Sequence, residues 1–398
     1  MKHVVIVGGG YAGIRVMQKL AFSGLVRITL IDRFPYHYLQ TEAYALIAQR
    51  ATLTDVTVDL PALCASYPNV TFKKATVRGV DFRARKVQTE TDALPYDFVV
   101  FAMGSRTFFP ENIPGLKRYA HGVKSLQRAF EFRQRFEQEL FERMCSEADA
   151  SCRNFSVVVA GAGLSGVEIA AEMADYTRAF MRENRMLCNG LDIYLISSHD
   201  GVLRGMDAYL CEKAKSRLEA LGVKLVTRSR VISVTKQEVR LDSGRALEYD
   251  FMIFAGGVIA STLTRELDVE RNAKGQMVVT PQLHLPGNDE AYAVGDVAEL
   301  RGSDGRVLPA TANGAEKSAE RAARNIVRSL RGLPLLQCPI RLEGILVALG
   351  RYHAAVVLFD RIRFSGIAGY VMKRLITDRY KYLLDARAYR VFRKNKRF

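Results

Sequence analysis

The sequence predicts an α/β fold made of two Rossmann-like dinucleotide-binding domains and completed by a C-terminal basic amphipathic region. Three observations predict it. A glycine-rich strand-to-helix turn occurs twice, a second strand motif recurs at the same interval, and positive charge gathers at the end of the chain.

The first turn follows Val4, Val5, Ile6 and Val7, a short apolar run of the buried-strand type that leads straight into Gly8-Gly9-Gly10-Tyr11-Ala12-Gly13 and a helical stretch. Gly8 allows the tight turn, Gly10 lets backbone amides approach a pyrophosphate, and Gly13 lets helix and strand pack closely. The helix N-terminus adds donors and the positive end of its dipole. The next strand, 28–31, ends in Asp32, 19 residues beyond Gly13, where an acid holds a ribose hydroxyl pair.

The layout then repeats, with Val157 to Ala160 leading into Gly161-Ala162-Gly163-Leu164-Ser165-Gly166, so that Gly161 follows Gly8 by 153 residues. The run Tyr96 to Gly104 aligns with Tyr249 to Gly257 at the same interval of 153. Two independent motifs keeping one spacing imply two homologous nucleotide-binding domains.

The chain has 398 residues, 48% hydrophobic and 25% charged, which excludes disorder, collagen-like repeats and a small disulfide scaffold. Its net charge of +16 points to a polyanionic partner or an acidic membrane surface. From Arg361 onward there are twelve basic residues and two acids, so the tail carries +10 and the remainder +6. On a helical wheel Ile367, Ala368, Val371, Met372, Leu375, Ile376, Tyr382 and Leu383 share one half with Arg379, while Lys373, Arg374, Asp378 and Lys381 take the other. This pattern predicts a basic helix lying in a membrane interface; a helix packed on the body with a solvated charged face is the plainer alternative. A nucleic-acid tail fits less well, because an apolar stripe interleaves the charges. The six cysteines form neither CxxC pairs nor metal-ligand spacings and read as reduced thiols of a cytosolic protein. No apolar stretch reaches the roughly 18 residues of a membrane span, and neither a signal peptide nor a transmembrane helix is expected.

With Ala291 to Asp296, a short apolar strand ending in Gly-Asp before a helical stretch at 314–330, these residues resemble the two-dinucleotide-binding-domain flavoproteins over essentially the whole chain. The resemblance implies an FAD domain of residues 1–115 and 270–330, interrupted by an NAD(P)H domain at 150–260. Residues 331–398 would form the membrane-association region. The implied cofactor-binding positions are Gly8, Gly10, Gly13, Asp32, Arg33, Gly104, Asp296, Gly161, Gly163, Gly166 and Gly257. Residues 40–50 contain no cysteine, which excludes glutathione-reductase-like chemistry. A sulfide-oxidising branch would have only Cys152 and Cys338 to draw on.

Within that class, Gly344 to Ala354, Ser365 to Tyr370 and the loop Asp32 to Gln40 are similar to type II NADH:quinone dehydrogenases. That similarity implies a glycine-bounded strand pair followed by amphipathic membrane helices, and a monotopic, non-proton-pumping enzyme. Hydride would pass from NADH to FAD and electrons on to a membrane quinone. Glu168 matches a glutamate facing nicotinamide and flavin and is the catalytic candidate; a favourable helix-dipole contact is its bland reading. Asn313 and Lys317, standing where the family carries two glutamines, are the quinone-side candidates, and 41–48 also departs from the family pattern. Ser197 occupies the second strand-end position without a carboxylate, so discrimination against NADPH is expected to be modest. The expected partners are a membrane quinone and an anionic membrane surface, with no nucleic acid and a homodimer left open. The expected location is peripheral, on the cytoplasmic face of the inner membrane. The rival readings are a flavin reductase for another acceptor and a redox sensor without turnover.

Overall fold

The computed structural model describes residues 1–145, 154–183, 190–337 and 339–395. Cys152 and Cys338 lie outside them. The chain opens with β1 (Lys2–Val7), α1 (Tyr11–Ala21), β2 (Val26–Asp32), β3 (Val70–Lys74), β4 (Phe98–Phe101) and β5 (Ser105–Thr107). It continues through α2 (Leu126–Cys145), β6 (Phe155–Ala160), α3 (Leu164–Glu183), β7 (Leu191–Ile196), β8 (Val223–Val226), β9 (Phe251–Phe254) and β10 (Val258–Ala260). The last stretch comprises β11 (His284–Leu285), β12 (Asn288–Ala293), α4 (Ala312–Leu330), the strands β13 (Gly344–Ala348), β14 (Ala354–Leu358) and β15 (Ile362–Gly366), and α5 (Ile367–Asn395).

One sheet has the order β11-β12-β4-β1-β2-β3, parallel except for the edge strand β11, and the other has the order β8-β7-β6-β9, parallel throughout. The strands β4, β6 and β9 are buried along their whole length, as continuous apolar runs are when both sheet faces are covered. The chain leaves the first sheet through β5 and returns through β10; these two pair antiparallel, Arg106 opposite Ile259. Because β12 then joins β4 in the first sheet, the second sheet is an insertion between two parts of the first.

α1 lies against α4, where Ala315, Ala319, Ala322 and Ala323 are buried and their small side chains let the helices approach closely. Thr311 caps α4 by accepting from the Gly314 amide at 3.1 Å. In the second core Phe132 and Phe136 of α2 pack on Phe251.

The C-terminal part differs from the expected strand pair and several helices. Three strands form an antiparallel meander, and a single helix of 29 residues follows. Its start presses on the meander, since a Cβ on Gly369 would lie 2.3 Å from the Ala354 carbonyl oxygen. Of the apolar half-wheel, Ile367, Val371, Leu375 and Tyr382 are exposed on the outside, and Ile376 and Leu383 are exposed where they line a cleft of the body. The charged half is divided: Lys373 is turned inward to the Glu168 carboxylate at 2.6 Å and Lys381 pairs with Asp385 of the same helix, while Arg374 and Asp378 are exposed and pair with each other at 3.0 Å. Leu384 and Ala388 anchor the helix in the first core. Among the described residues no helix is long and apolar enough to cross a membrane.

Candidate active site

The two glycine turns are built alike. A Cβ on Gly8 would sit 2.5 Å from the Ala102 carbonyl oxygen, and one on Gly161 equally close to that of Ala255; φ is +109° and +114°. Glycine is therefore required at both. A Cβ on Gly13 or Gly166 would meet the carbonyl oxygen of the first glycine at 1.8 or 1.7 Å, which is how tightly each helix sits on its strand. At Gly10 and Gly163 nothing lies within 4 Å, leaving a space beside the backbone at each helix start. That vacancy is the shape a pyrophosphate fills.

At the strand ends the copies diverge. Asp32 accepts from the Gly9 amide at 2.7 Å and the Phe34 amide at 2.9 Å. Burial raises its pKa, and those amides oppose the shift. Ser197 is buried and donates to the Gly201 carbonyl at 2.7 Å.

A cleft of about 1510 Å³ runs between the two folds. Its walls gather Gly8, Gly10, Asp32, Arg33, Gly104 and Asp296 from the first fold, Leu164, Ser165 and Glu168 from the second, Asn313 and Lys317 from α4, and Lys373, Ile376 and Tyr380 from α5. Gly13, Gly161, Gly163, Gly166 and Gly257 are not on this wall. The volume exceeds that of an ordinary small-ligand site. With the space at Gly10 and the acid at Asp32, the first fold fits FAD. Asp296 accepts from Ser105 Oγ at 2.6 Å and lies 3.4 Å from Lys124 Nζ, so its carboxylate is already oriented.

Glu168 ties three segments together. One carboxylate oxygen accepts from the Ala348 amide at 3.0 Å and from Lys373 Nζ at 2.6 Å. Lys373 also lies over the Tyr44 ring at 4.5 Å. Nearby Glu42 is buried and accepts from Thr377 Oγ1 at 3.0 Å; burial raises its pKa, with Lys373 opposing. One turn along α3, Glu172 is 1% exposed and pairs with Arg50. Burial pushes its pKa up to about 7 against the pull of Arg50. His37 is buried against Tyr380, 3.2 Å from its hydroxyl, and burial lowers its pKa to about 3. It is a neutral ring at any physiological pH.

Asn313 and Lys317 both meet Glu343, whose amide donates to Asn313 Oδ1 at 3.0 Å and whose carboxylate pairs with Lys317. Sequence reasoning missed Glu343, Glu42, Tyr44 and Thr377, and read Lys373 only as surface charge. The wheel did separate Lys373 from the apolar residues, which was the one available signal. No described cysteine lines the cleft, and Cys64 is buried away from it.

Two glycine-turn folds, one inserted in the other and sharing a cleft, define the class of two-dinucleotide-domain flavoproteins. The sequence pattern of the pyridine nucleotide-disulphide oxidoreductase family matches residues 2–319, and the chain belongs to that family. Among its relatives are the demethylphylloquinone reductase NdbB of Synechocystis sp., 29% identical, with 94% of this chain and 91% of that one covered. Another is the type II NADH:quinone oxidoreductase of Staphylococcus aureus, 28% identical over 95% and 94% of the two chains. The fold matches the NDH2 of Plasmodium falciparum solved in complex with NADH, at a TM-score of 0.85 and 17% identity, over 100% of this chain and 98% of that one.

Proposed function

We propose that this chain is an FAD-dependent type II NADH:quinone oxidoreductase working on a membrane surface. The observation that carries the reading is the cleft itself, which joins the first glycine turn, the Glu168 end of the second motif and the inner side of α5, a helix whose outer side is apolar and exposed. The relatives named for quinone reduction support the acceptor.

When bound, FAD supplies hydride acceptance from NADH and delivery of two electrons to a quinone. The overall change is NADH, one proton and quinone to NAD⁺ and quinol, so one proton must come from water. Gly10 and Asp32 hold the pyrophosphate and a ribose of the flavin nucleotide, Gly104 lies on the same wall, and Asp296 orients its polyol chain. Gly161, Gly163 and Gly166 form the dinucleotide turn of the second fold, and Gly257 its partner turn. Glu168 and Lys373, bonded to each other at the cleft wall, would hold an exchangeable proton within the cleft. Asn313 and Lys317, fixed by Glu343, form a polar rim on the quinone side. Residues 331–398 rest on the anionic leaflet through the apolar side of α5.

The test is anaerobic. NADH added to purified, FAD-loaded protein should bleach the flavin absorbance, and a quinone in anionic vesicles should restore it. Flavin that stays oxidised under NADH, or reduced under quinone, would sink the reading.

A further inference from the structure

We propose that Glu42 stores the solvent-derived proton for the acceptor half of the reaction and hands it to the cleft through the Thr377 hydroxyl. The inference rests on the quinone chemistry of the reading above and deepens it. A quinol carries two protons; NADH brings one, and the other needs a donor of its own.

Glu42 closes a single 3-10 turn, Gln40–Glu42, ahead of the short helix Ala43–Ile47, and is 6% exposed. It does not itself reach the cleft, whereas its two polar neighbours, Thr377 and Tyr44, are on the wall. Thr377 Oγ1 lies 3.0 Å from Glu42 Oε1, and the Tyr44 hydroxyl lies 3.4 Å from both carboxyl oxygens. Both neighbours are hydroxyls, which donate to a carboxylate and accept from a carboxylic acid, so the contacts survive a change of protonation. Glu168 differs in this respect, since its partners, the Ala348 amide and the Lys373 ammonium, only donate.

The charges around Glu42 let it hold either state. Tyr11, Tyr38 and Tyr44 face it as phenols that burial keeps protonated. Lys373 and Arg374 of α5 attract its carboxylate, and Glu168 of α3 repels it. Lys373 is already paired with Glu168, so an ionised Glu42 is a surplus negative charge in a buried place, which favours the acid. The same Lys373, with Arg374 and the Thr377 hydroxyl, limits the cost of the carboxylate once the proton has left. In the step, the Glu42 O–H bond breaks and its proton passes to Thr377 Oγ1, while the hydroxyl's own proton passes to an oxygen of the quinone that has received two electrons, completing a quinol O–H. No electrons move in this transfer, and solvent then reprotonates the carboxylate.

The experiment reduces the purified FAD-containing protein anaerobically with NADH and mixes it rapidly with a water-soluble quinone, which needs protons, or with ferricyanide, which takes electrons alone; flavin absorbance reports reoxidation. Glu42→Gln should slow reoxidation by quinone about 10²-fold while reoxidation by ferricyanide stays near the parent rate. Thr377→Val should show the same split, and Thr377→Ser, which keeps the hydroxyl, should restore the quinone rate; this pair decides the matter should Glu42→Gln fail to fold. Infrared spectra of the parent set against Glu42→Gln should show a protonated-carboxyl band that titrates above the ordinary carboxylate range. Quinone reoxidation in the parent should fall as pH climbs through that titration, since only the acid can donate, and Glu42→Gln should lose this dependence. Equal quinone rates in parent and Glu42→Gln, an equal loss with both acceptors, a Thr377→Ser protein as slow as Thr377→Val, or a Glu42 band titrating in the ordinary range would overturn the inference and leave the quinone reading standing. A parent protein reoxidised by ferricyanide but not by quinone would overturn both.

Discussion

At the scale of single residues, the glycines separate packing from ligand space, and two substitutions expose the difference. Gly13→Ala puts a methyl 1.8 Å from the Gly8 carbonyl oxygen and should prevent folding. Gly10→Val meets no protein atom within 4 Å, and Gly10 already has extended φ and ψ. It should therefore leave circular dichroism and melting temperature near the parent values while the protein purifies without flavin; a yellow Gly10→Val protein would contradict the site. These roles were legible in the sequence because they depend only on the absence of a side chain at a fixed place in a turn. The buried acids were not, since Glu172 meets Arg50 and Glu42 meets Thr377 across long stretches of chain. Glu172 makes its own prediction. An acid whose pKa rises on folding, here from 4.5 to about 7, contributes stability that is complete below 4.5 and lost as pH climbs through 7. Glu172→Gln has no such titration, and Arg50 retains the Arg351 carbonyl at 2.8 Å. Melting curves should show the variant gaining on the parent between those pH values, by at most about 1.4 kcal/mol per unit of displacement. A constant gap would mean that the acid keeps its ordinary affinity for protons. Glu168→Gln should fold and hold flavin yet turn over about 10²-fold more slowly, the scale of a lost proton-transfer group. Unchanged steady-state rates would leave Glu168 only its contacts with Ala348 and Lys373.

At the scale of elements, the parallel strands and the helices after each glycine turn could be read from apolar runs and turn chemistry, and β1, β2, β6 and α1 lie where those signals put them. The orientation of α5 could not. A helical wheel divides a sequence into two faces and says nothing about which one the body takes. Here the outcome was set by Glu168 from α3, the Ala354 carbonyl from β14 and core positions for Leu384 and Ala388, all contributed by other segments. The result is a helix anchored through Lys373, Leu384 and Ala388 that keeps Val371 and Leu375 exposed. Val371 and Leu375 are 45% and 62% exposed, so Val371→Asp with Leu375→Asp costs the fold little. Sedimentation with anionic vesicles should fall sharply, because each apolar side chain withdrawn from water is worth about 1.5–3 kcal/mol when fully buried. Added salt should weaken binding of the parent without abolishing it, since screening removes only the attraction to headgroups. Undiminished sedimentation of the double variant would mean that α5 is not the contact.

At the scale of the whole molecule, duplication followed by insertion accounts for the path of the chain: the second fold enters after β5, leaves before β10, and the paired β5–β10 ribbon forms the crossing. One cleft then borders the first glycine turn, the Glu168 end of the second motif and the inner side of α5. The 153-residue repeat made the two folds legible, whereas the cleft joins residues from both copies and the tail and appears in no single segment. This arrangement separates chemistry from location, and the double variant of α5 tests the separation. Neither Val371 nor Leu375 is on the cleft wall. NADH oxidation with a water-soluble quinone or ferricyanide should therefore remain close to the parent rate. Reduction of quinone held in anionic vesicles should drop by about tenfold or more, because a loss of only about 1.4 kcal/mol in membrane binding already shifts partition tenfold. If both activities fell together, the substitutions would have reached the flavin site and α5 would belong to the catalytic body; if neither fell, quinone would reach the cleft without this helix being seated in the membrane.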